Sequence, residues 1–255
     1  MKTLKEIEAI LKTLDDLNDP YFQELGQDPR VGVEKLVKKY QNSLIKVQKL
    51  KADHLKRQIF ENEYRIKGFQ TIAGVDEVGR GPLAGPLVIG AVVLPEDCSV
   101  FLGMNDSKQL SQKKRQHYVD LIKENALAYC IKEIDVATID HLNIYQATKR
   151  GMESIVNDLS LPVDFTLVDA MKLSEDIPHL SLIKGDQRSL SIAAASILAK
   201  DYRDQKMVEY AQIYPEYGFD KHVGYGTAQH LQALHEFGPC PIHRQSFEPI
   251  RSMIS

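Results

Sequence analysis

The stretch TIAGVDEVGRGPLAGPLV, residues 71–88, decides how this chain is read. An apolar run, Ile72 to Val75, stops at two adjacent carboxylates, Asp76 and Glu77. A glycine-flanked arginine follows as Gly79-Arg80-Gly81, and a second apolar run opens at Leu87. Two runs of strand length separated by a Gly/Pro-rich turn predict an antiparallel pair. Acids beside a core strand are costly unless paired or bound to a cation. Next to a backbone stripped of side chains, they look like a cation site facing a phosphate-bearing ligand. Neighbouring strand residues point to opposite faces. Both acids therefore line one site only if the strand is ending or one side chain reaches around its edge.

Further strand candidates lie at 127–135, 164–169 and 179–184, beside 71–78 and 86–95, and helix candidates at 111–125, 143–159, 188–212 and 227–237. This is an α/β pattern. The alanines and serines of 191–200 suit close packing against a sheet or another helix. Asp169 ends the apolar run Phe165–Val168, which is where open α/β sheets place ligands, although turn formation also uses such an acid. If the strands of Asp76 and Asp169 adjoin, their acids meet. Asp186 follows the last strand candidate and precedes the long helix, a place for a fourth ligand or for a helix cap.

Four acids without cysteine or an obligatory histidine are hard oxygen ligands that suit Mg²⁺ or Mn²⁺. Two such ions about 3.5–4 Å apart are the usual device for in-line attack on a phosphodiester. Gly79-Arg80-Gly81 fits neither a phosphate-cradling nor a dinucleotide-binding glycine motif. Its bare backbone suits close approach to a minor groove and a 2′-hydroxyl, the group that separates RNA from DNA. Lys108, in a loop ahead of a helix, is a phosphate-contact candidate. Tyr225, between Gly224 and Gly226 and near Lys221 and His222, suits stacking on a sugar or base.

Composition narrows the class. With 255 residues and 43% apolar content, the chain holds one large domain, or one domain with an extension. No secretory leader or membrane span is expected. Cys98, Cys130 and Cys240 are odd in number and far apart, which fits a reducing cytoplasm. Cys240 and His243 have ligand-like spacing but no second pair. Residues 1–70 carry 14 Lys+Arg against 11 Asp+Glu, while the remainder carries 18 against 24. Helical periodicity over 1–70 predicts an extension of two or three helices joined at Lys67-Gly68, its lysines forming a solvated face or a basic arm on duplex backbone. The expected division is 1–70 and 71–255.

GVDEVGRGPLAGP, NDSKQLS, LVDA, KGD, SIAAASILAKDYRD, YGFDKHVGYGT and GPCPIHRQSFEP, in this order, closely resemble bacterial ribonuclease HII over about residues 71–250. The resemblance implies a ribonuclease H-like fold, a mixed five-stranded sheet flanked by helices, with a helical C-terminal part. It implies cleavage of the RNA strand of RNA–DNA hybrids and incision 5′ of single ribonucleotides embedded in duplex DNA, leaving 3′-hydroxyl and 5′-phosphate ends. Asp76, Glu77 and Asp169 fall on the family's metal-binding carboxylates, with Asp76 bridging two ions, and Asp186 falls on its fourth acid. Gly79, Arg80 and Gly81 fall on the loop that reads the 2′-hydroxyl, Tyr225 on a deoxyribose-stacking tyrosine, and Lys108 on a phosphate contact. The expected partners are hybrid duplex and ribonucleotide-containing DNA, met by a cytoplasmic monomer with no membrane association. Val223, Gly226 and Gln245 depart from the residues most frequent at their positions.

Three other readings are weighed. A receiver-type signalling module also gathers acids around Mg²⁺, but its first acids lead into a helix, whereas Pro82, Pro86 and the run 87–94 point to a strand. Ribonuclease HIII carries a β-rich N-terminal domain, whereas residues 1–70 read as helical. A non-catalytic hybrid-binding protein would have lost carboxylates, and all four stand.

Overall fold

The apolar runs become a five-stranded sheet of β1 (Ile72–Val78), β2 (Leu87–Val93), β3 (Ala128–Ile134), β4 (Phe165–Asp169) and β5 (His179–Leu182). Their order across the sheet is β3-β2-β1-β4-β5. The structure, a computed structural model, describes residues 1–254. β2 is antiparallel to β1 and β3, whereas β1 with β4 and β4 with β5 are parallel. Every residue of β2 is buried, as an unbroken LVIGAVV run in the middle of a covered sheet requires. The expected mixed five-stranded sheet flanked by helices is the fold observed.

Along the chain the helices are α1 (Leu4–Leu11), α2 (Pro20–Leu25), α3 (Val31–Lys56), α4 (Ile59–Ile66), α5 (Gln112–Asn125), α6 (Val136–Leu142), α7 (Ile144–Asn157), α8 (Gly185–Arg188), α9 (Leu190–Ile213), α10 (Phe219–His222), α11 (Ala228–Phe237) and α12 (Ile250–Ile254). The short α6 is additional to the sequence-based helices. Asp135 caps it, accepting from the Thr138 amide at 2.7 Å. Among the described residues, no helix is long and apolar enough to cross a membrane.

α9 covers one face of the sheet at very short range. A Cβ on Gly74 of β1 would stand 2.1 Å from the Ser191 carbonyl carbon, and one on Gly90 of β2 would stand 2.4 Å from the Ala195 oxygen. Only glycine admits the helix backbone there, and the buried Ala193, Ala194 and Ala195 keep the helix side equally thin. α7 covers the other face, where Gly151 gives way to the Ile89 side chain.

The chain divides into two compact units, Met1–Lys56 and a second from Arg57 onward. The first holds its own core of Ile7, Leu11, Phe22, Leu25, Val33 and Val37. A reciprocal Thr3–Glu6 capping box starts α1. Lys38 pairs with Glu34 and Lys39 with Glu8. α4 belongs to the second unit, although its periodicity reads on from α3; a turn at Arg57-Gln58 separates the two helices.

Candidate active site

Two parallel strands deliver the first acids. Val75 of β1 is in register with Val168 of β4, so Asp76 and Asp169 follow at adjoining strand ends. β1 does not end at its acids. It stays paired with β2 as far as Val78, but its pairing with β4 stops at Val75. On the β4 side the strand edge is therefore open from Asp76 onward. This is how Glu77, on the opposite pleat, comes close enough to Asp169 to feel its charge.

The cost of this convergence is visible in the electrostatics. Asp76 is buried, at 5% exposure, and accepts from the Glu77 amide at 2.8 Å. It also accepts from the Ser196 hydroxyl of α9, which is itself 3.0 Å from Ser107 Oγ. Burial, followed by the charges of Glu77 and Asp169, holds its carboxyl well above the ordinary carboxylate range. Burial pushes Glu77 up to about 7 against the pull of Arg80, whose Nη1 stands 3.4 Å away. Glu77 Oε2 is buried without a hydrogen-bond partner. Unpartnered carboxylate oxygen in an acid-lined, oxygen-only setting suits a hard divalent cation. Among the described residues, no three His, Cys, Asp or Glu side chains stand close enough to grip an ion as they are placed. Asp76 and Asp169 are instead turned onto backbone amides.

Asp169 accepts from the Gly185 amide at 2.6 Å, which ties β4 to the start of α8. Left-handed Ala170 (φ 46°) and Lys184 (φ 56°) turn the chain on either side of this contact. Strained backbone of this kind persists where surrounding contacts determine it. Asp186, in α8, is buried, and burial together with the charges of Asp106 and Asp169 raises its pKa. The helix-cap role open to it on sequence grounds belongs instead to Ser189, which caps α9. Lys108 is exposed but near enough to lower the pKa of both Asp169 and Asp186, so it faces the acids.

Sequence reasoning missed three residues of this region. Asp106 is buried, caps the turn carrying Lys108 at 2.9 Å, and accepts from Gln187. Its signal was the Asn-Asp-Ser turn composition. Arg57 donates to the Asp186 carbonyl at 3.1 Å and to Asn105 Oδ1, while its own carbonyl accepts from the Leu190 amide. Glu61 is buried at the start of α9 and accepts from both Ser189 and Ser191 hydroxyls and from the Ser191 amide. The contacts of Arg57 and Glu61 with Asp186, Ser189 and Ser191 span more than a hundred residues of sequence, and no local pattern announces them.

Gly79, Arg80 and Gly81 open the turn after β1, and Tyr225 lies beside it. A Cβ on Gly81 would meet the Tyr225 ring at 3.6 Å, an ordinary contact. Tyr225 is 47% exposed. Its loop is held from below by three histidines. His222 Nε2 donates to the Tyr217 carbonyl, so its Nδ1 accepts from the Gly224 amide. His230 Nδ1 donates to the Tyr225 carbonyl, and its Nε2 meets His243 Nε2 at 2.9 Å. His243 Nδ1 accepts from the Cys240 amide, so both its nitrogens are engaged within the protein. Burial draws His243 down to about 4 and lowers His230, consistent with a neutral chain of imidazoles. The structure thus brings together Asp76, Glu77 and Asp169, sets Asp186 and Lys108 alongside them, and joins the Gly-Arg-Gly turn to Tyr225.

Comparison with known proteins gives a consistent result. A sequence profile described as Ribonuclease HII matches residues 73–250, and one described as Ribonuclease HII N-terminal domain matches residues 3–65. Ribonuclease HII of Bacillus subtilis (strain 168) is 47% identical over 250 residues, covering 98% of each chain. Ribonuclease HII of Bacillus cereus (strain G9842) is 50% identical over 252 residues, covering 99% of this chain and 98% of the relative. The crystal structure of the ribonuclease H2 from Pyrococcus horikoshii OT3 superposes with a TM-score of 0.62 at 25% identity, over 72% of this chain and 97% of that one.

Proposed function

The chain belongs to the ribonuclease HII family, and on that footing we propose that it hydrolyses the RNA strand of RNA–DNA hybrids and incises duplex DNA 5′ of single embedded ribonucleotides. The products are a 3′-hydroxyl and a 5′-phosphate. The observation that carries the reading is the parallel β1–β4 register, which sets Asp76 beside Asp169 with Glu77 reaching over an open strand edge. Nothing in a stable fold calls for one buried and two half-buried acids gathered at one strand end.

Asp76, Glu77, Asp169 and Asp186 would hold Mg²⁺ or Mn²⁺, as their all-oxygen donor set and the unpartnered Glu77 Oε2 favour. When bound, such ions supply charge stabilisation to a phosphodiester undergoing in-line displacement. The chain's own groups do the rest. Lys108, facing Asp169 and Asp186, attracts the phosphate and offsets part of the upward push that burial gives the acids. The Gly79–Gly81 turn offers backbone to the ribose at the cut. Tyr225, half exposed beside Gly81, offers a stacking face to the neighbouring sugar. Ser196 donates to Asp76 and the Gly185 amide to Asp169, contacts that a bound cation would compete with.

The test is incubation with a DNA duplex containing one ribonucleotide, in Mg²⁺ and separately in Mn²⁺. Incision on the 5′ side of the ribonucleotide is expected. No incision with either ion would remove the proposal.

A further inference from the structure

Two arginines are wholly buried, Arg203 of α9 and Arg244, each at 0% exposure. Among the described residues neither forms an ion pair. Buried charge without a counter-ion is among the most unfavourable arrangements a fold can hold. Here every guanidinium hydrogen bond goes to a backbone carbonyl, and the Arg244 guanidinium also lies over the Phe247 ring, 5.0 Å from its centroid. Arg244 Nη2 donates to Gly79 at 2.5 Å and to Gly85 at 2.9 Å, Nη1 to Arg80 at 2.9 Å, and Nε to Gly85 at 3.1 Å. Arg203 Nε donates to Pro86 at 2.9 Å, Nη2 to Ala84 at 3.1 Å, and Nη1 to Val223 at 2.8 Å. Burial draws Arg203 down to about 10 and Arg244 to about 9, so both remain charged at neutral pH.

The glycines of the turn make room for this. Gly79 has φ 95°, and a Cβ there would stand 2.3 Å from Arg203 Nε. A Cβ on Gly85, φ 85°, would stand 2.4 Å from Met207 Sδ and 3.3 Å from Arg203 Nη2. Peptide geometry then sets what faces out. In a trans peptide the carbonyl and the following N–H point in opposite directions. Arg244 pulls the Gly79 and Arg80 carbonyls inward, so the Arg80 and Gly81 amides turn outward. Among the described residues neither amide has a protein acceptor.

We infer that Arg203 and Arg244 are positioning residues for ribose discrimination, clamping the Gly79–Pro86 loop and Val223 into one body whose outward Arg80 and Gly81 amides meet the substrate's 2′-hydroxyl and its adjoining phosphate. The inference rests on the ribonucleotide-incision reading above. Lysine at either position keeps the charge but cannot span three carbonyls with a planar fork.

The test is a ratio. An all-DNA duplex is used as a competitive inhibitor of incision of the same duplex carrying one ribonucleotide, and its Ki is divided by the KM of the ribonucleotide substrate. Arg244→Lys and Arg203→Lys are each expected to lower this ratio by about ten-fold or more, the value of one or two lost hydrogen bonds to a ribose hydroxyl. A merely structural role would lower the melting temperature and leave the ratio alone. An unchanged ratio in the lysine variants overturns the inference. If wild type incises no ribonucleotide duplex, the functional reading itself has failed. If wild type incises and the variants keep its ratio, only the clamp has failed. Should both lysine variants melt below the assay temperature, Arg244→Ala is titrated with ethylguanidinium. Return of the ratio supports the clamp, and return of the melting temperature alone, or of neither, counts against it.

Discussion

Glu77→Gln is expected to stabilise the metal-free protein while weakening its response to divalent cations. The Glu77 carboxyl titrates at about 7 in the folded chain and at 4.5 in the absence of structure, chiefly because burial disfavours its charge. At about 1.4 kcal/mol per tenfold change in proton affinity, that gap amounts to about 3 kcal/mol when the group is fully ionised. A group whose pKa rises on folding contributes stability that is complete below the unfolded pKa and lost as pH rises through the folded one. Between pH 5.5 and pH 8 the wild type should therefore lose about 2 kcal/mol from this side chain. The amide variant, with nothing to ionise, should not. Urea unfolding in EDTA across this range reads the difference directly, provided the transition of the unit from Arg57 onward is the one followed. A gap between the two proteins that does not widen with pH, or a variant less stable at pH 8, would refute the reasoning. A saturating cation supplies a second arm. At a hundred times its Kd it should stabilise wild type by about 2.7 kcal/mol, and the variant by clearly less.

Other expectations follow from single positions. Gly79→Ala and Gly81→Ala should separate cleanly: the first meets Arg203 at 2.3 Å with a left-handed φ and should lower the melting temperature, whereas the second meets only Tyr225 at 3.6 Å and should fold as wild type. If substrate backbone comes close to the turn, Gly81→Ala loses incision with its fold intact, and full activity in that variant would place the substrate elsewhere. Glu61→Ala strips the acceptor from two buried serine hydroxyls and an amide at the start of α9, and should cost about 2–3 kcal/mol in urea unfolding. A change below about 0.5 kcal/mol would show that these donors find other partners. Lys46, Lys49 and Lys51 form no ion pair among the described residues. Changing all three to alanine should make the log–log salt dependence of duplex binding shallower by about 3 if each meets a phosphate, and leave it unchanged if they are solvated.

Much of the frame was legible because local sequence carried it. β1, β2 and β4 carry apolar runs bounded by turn residues, β3 and β5 mix apolar with polar residues, and the small-residue run 191–200 announced a helix that packs closely, as Gly74 and Gly90 now explain. Asp76, Glu77 and Asp169 stand out in the sequence because a carboxylate at the end of an apolar run is locally anomalous, whereas Asp186 is marked only by its place between a strand and the long helix. What stayed hidden depends on contacts far apart in the chain. Arg203 and Arg244 sit among polar residues in the sequence, yet carbonyls from residues 79–86 and from Val223 enclose them. Arg57 and Glu61 read as the tail of a solvated helix, yet they hold Asp186 and the start of α9. The sequence did not announce what lies on the inner side of Gly79. Its missing side chain clears space inward for the Arg203 guanidinium, whereas a Cβ on Gly81 would meet only the Tyr225 ring.

That division of labour bears on how recognition reaches chemistry. Arg80 belongs to both halves: its carbonyl is held by Arg244, and its guanidinium lies 3.4 Å from Glu77. Its charge lowers the pKa of Glu77 and of Asp169. A ligand that pulled the Arg80 side chain toward a phosphate would weaken that attraction and leave Glu77 harder to ionise. A cation arriving at the acids would replace it. Substrate and cation should therefore each make the other's arrival more favourable, because the positive charge one displaces is the charge the other supplies. The coupling needs no moving domain. It needs only that the Gly79–Pro86 backbone stay fixed while the Arg80 side chain swings, and a loop clamped by two buried guanidiniums meets that condition.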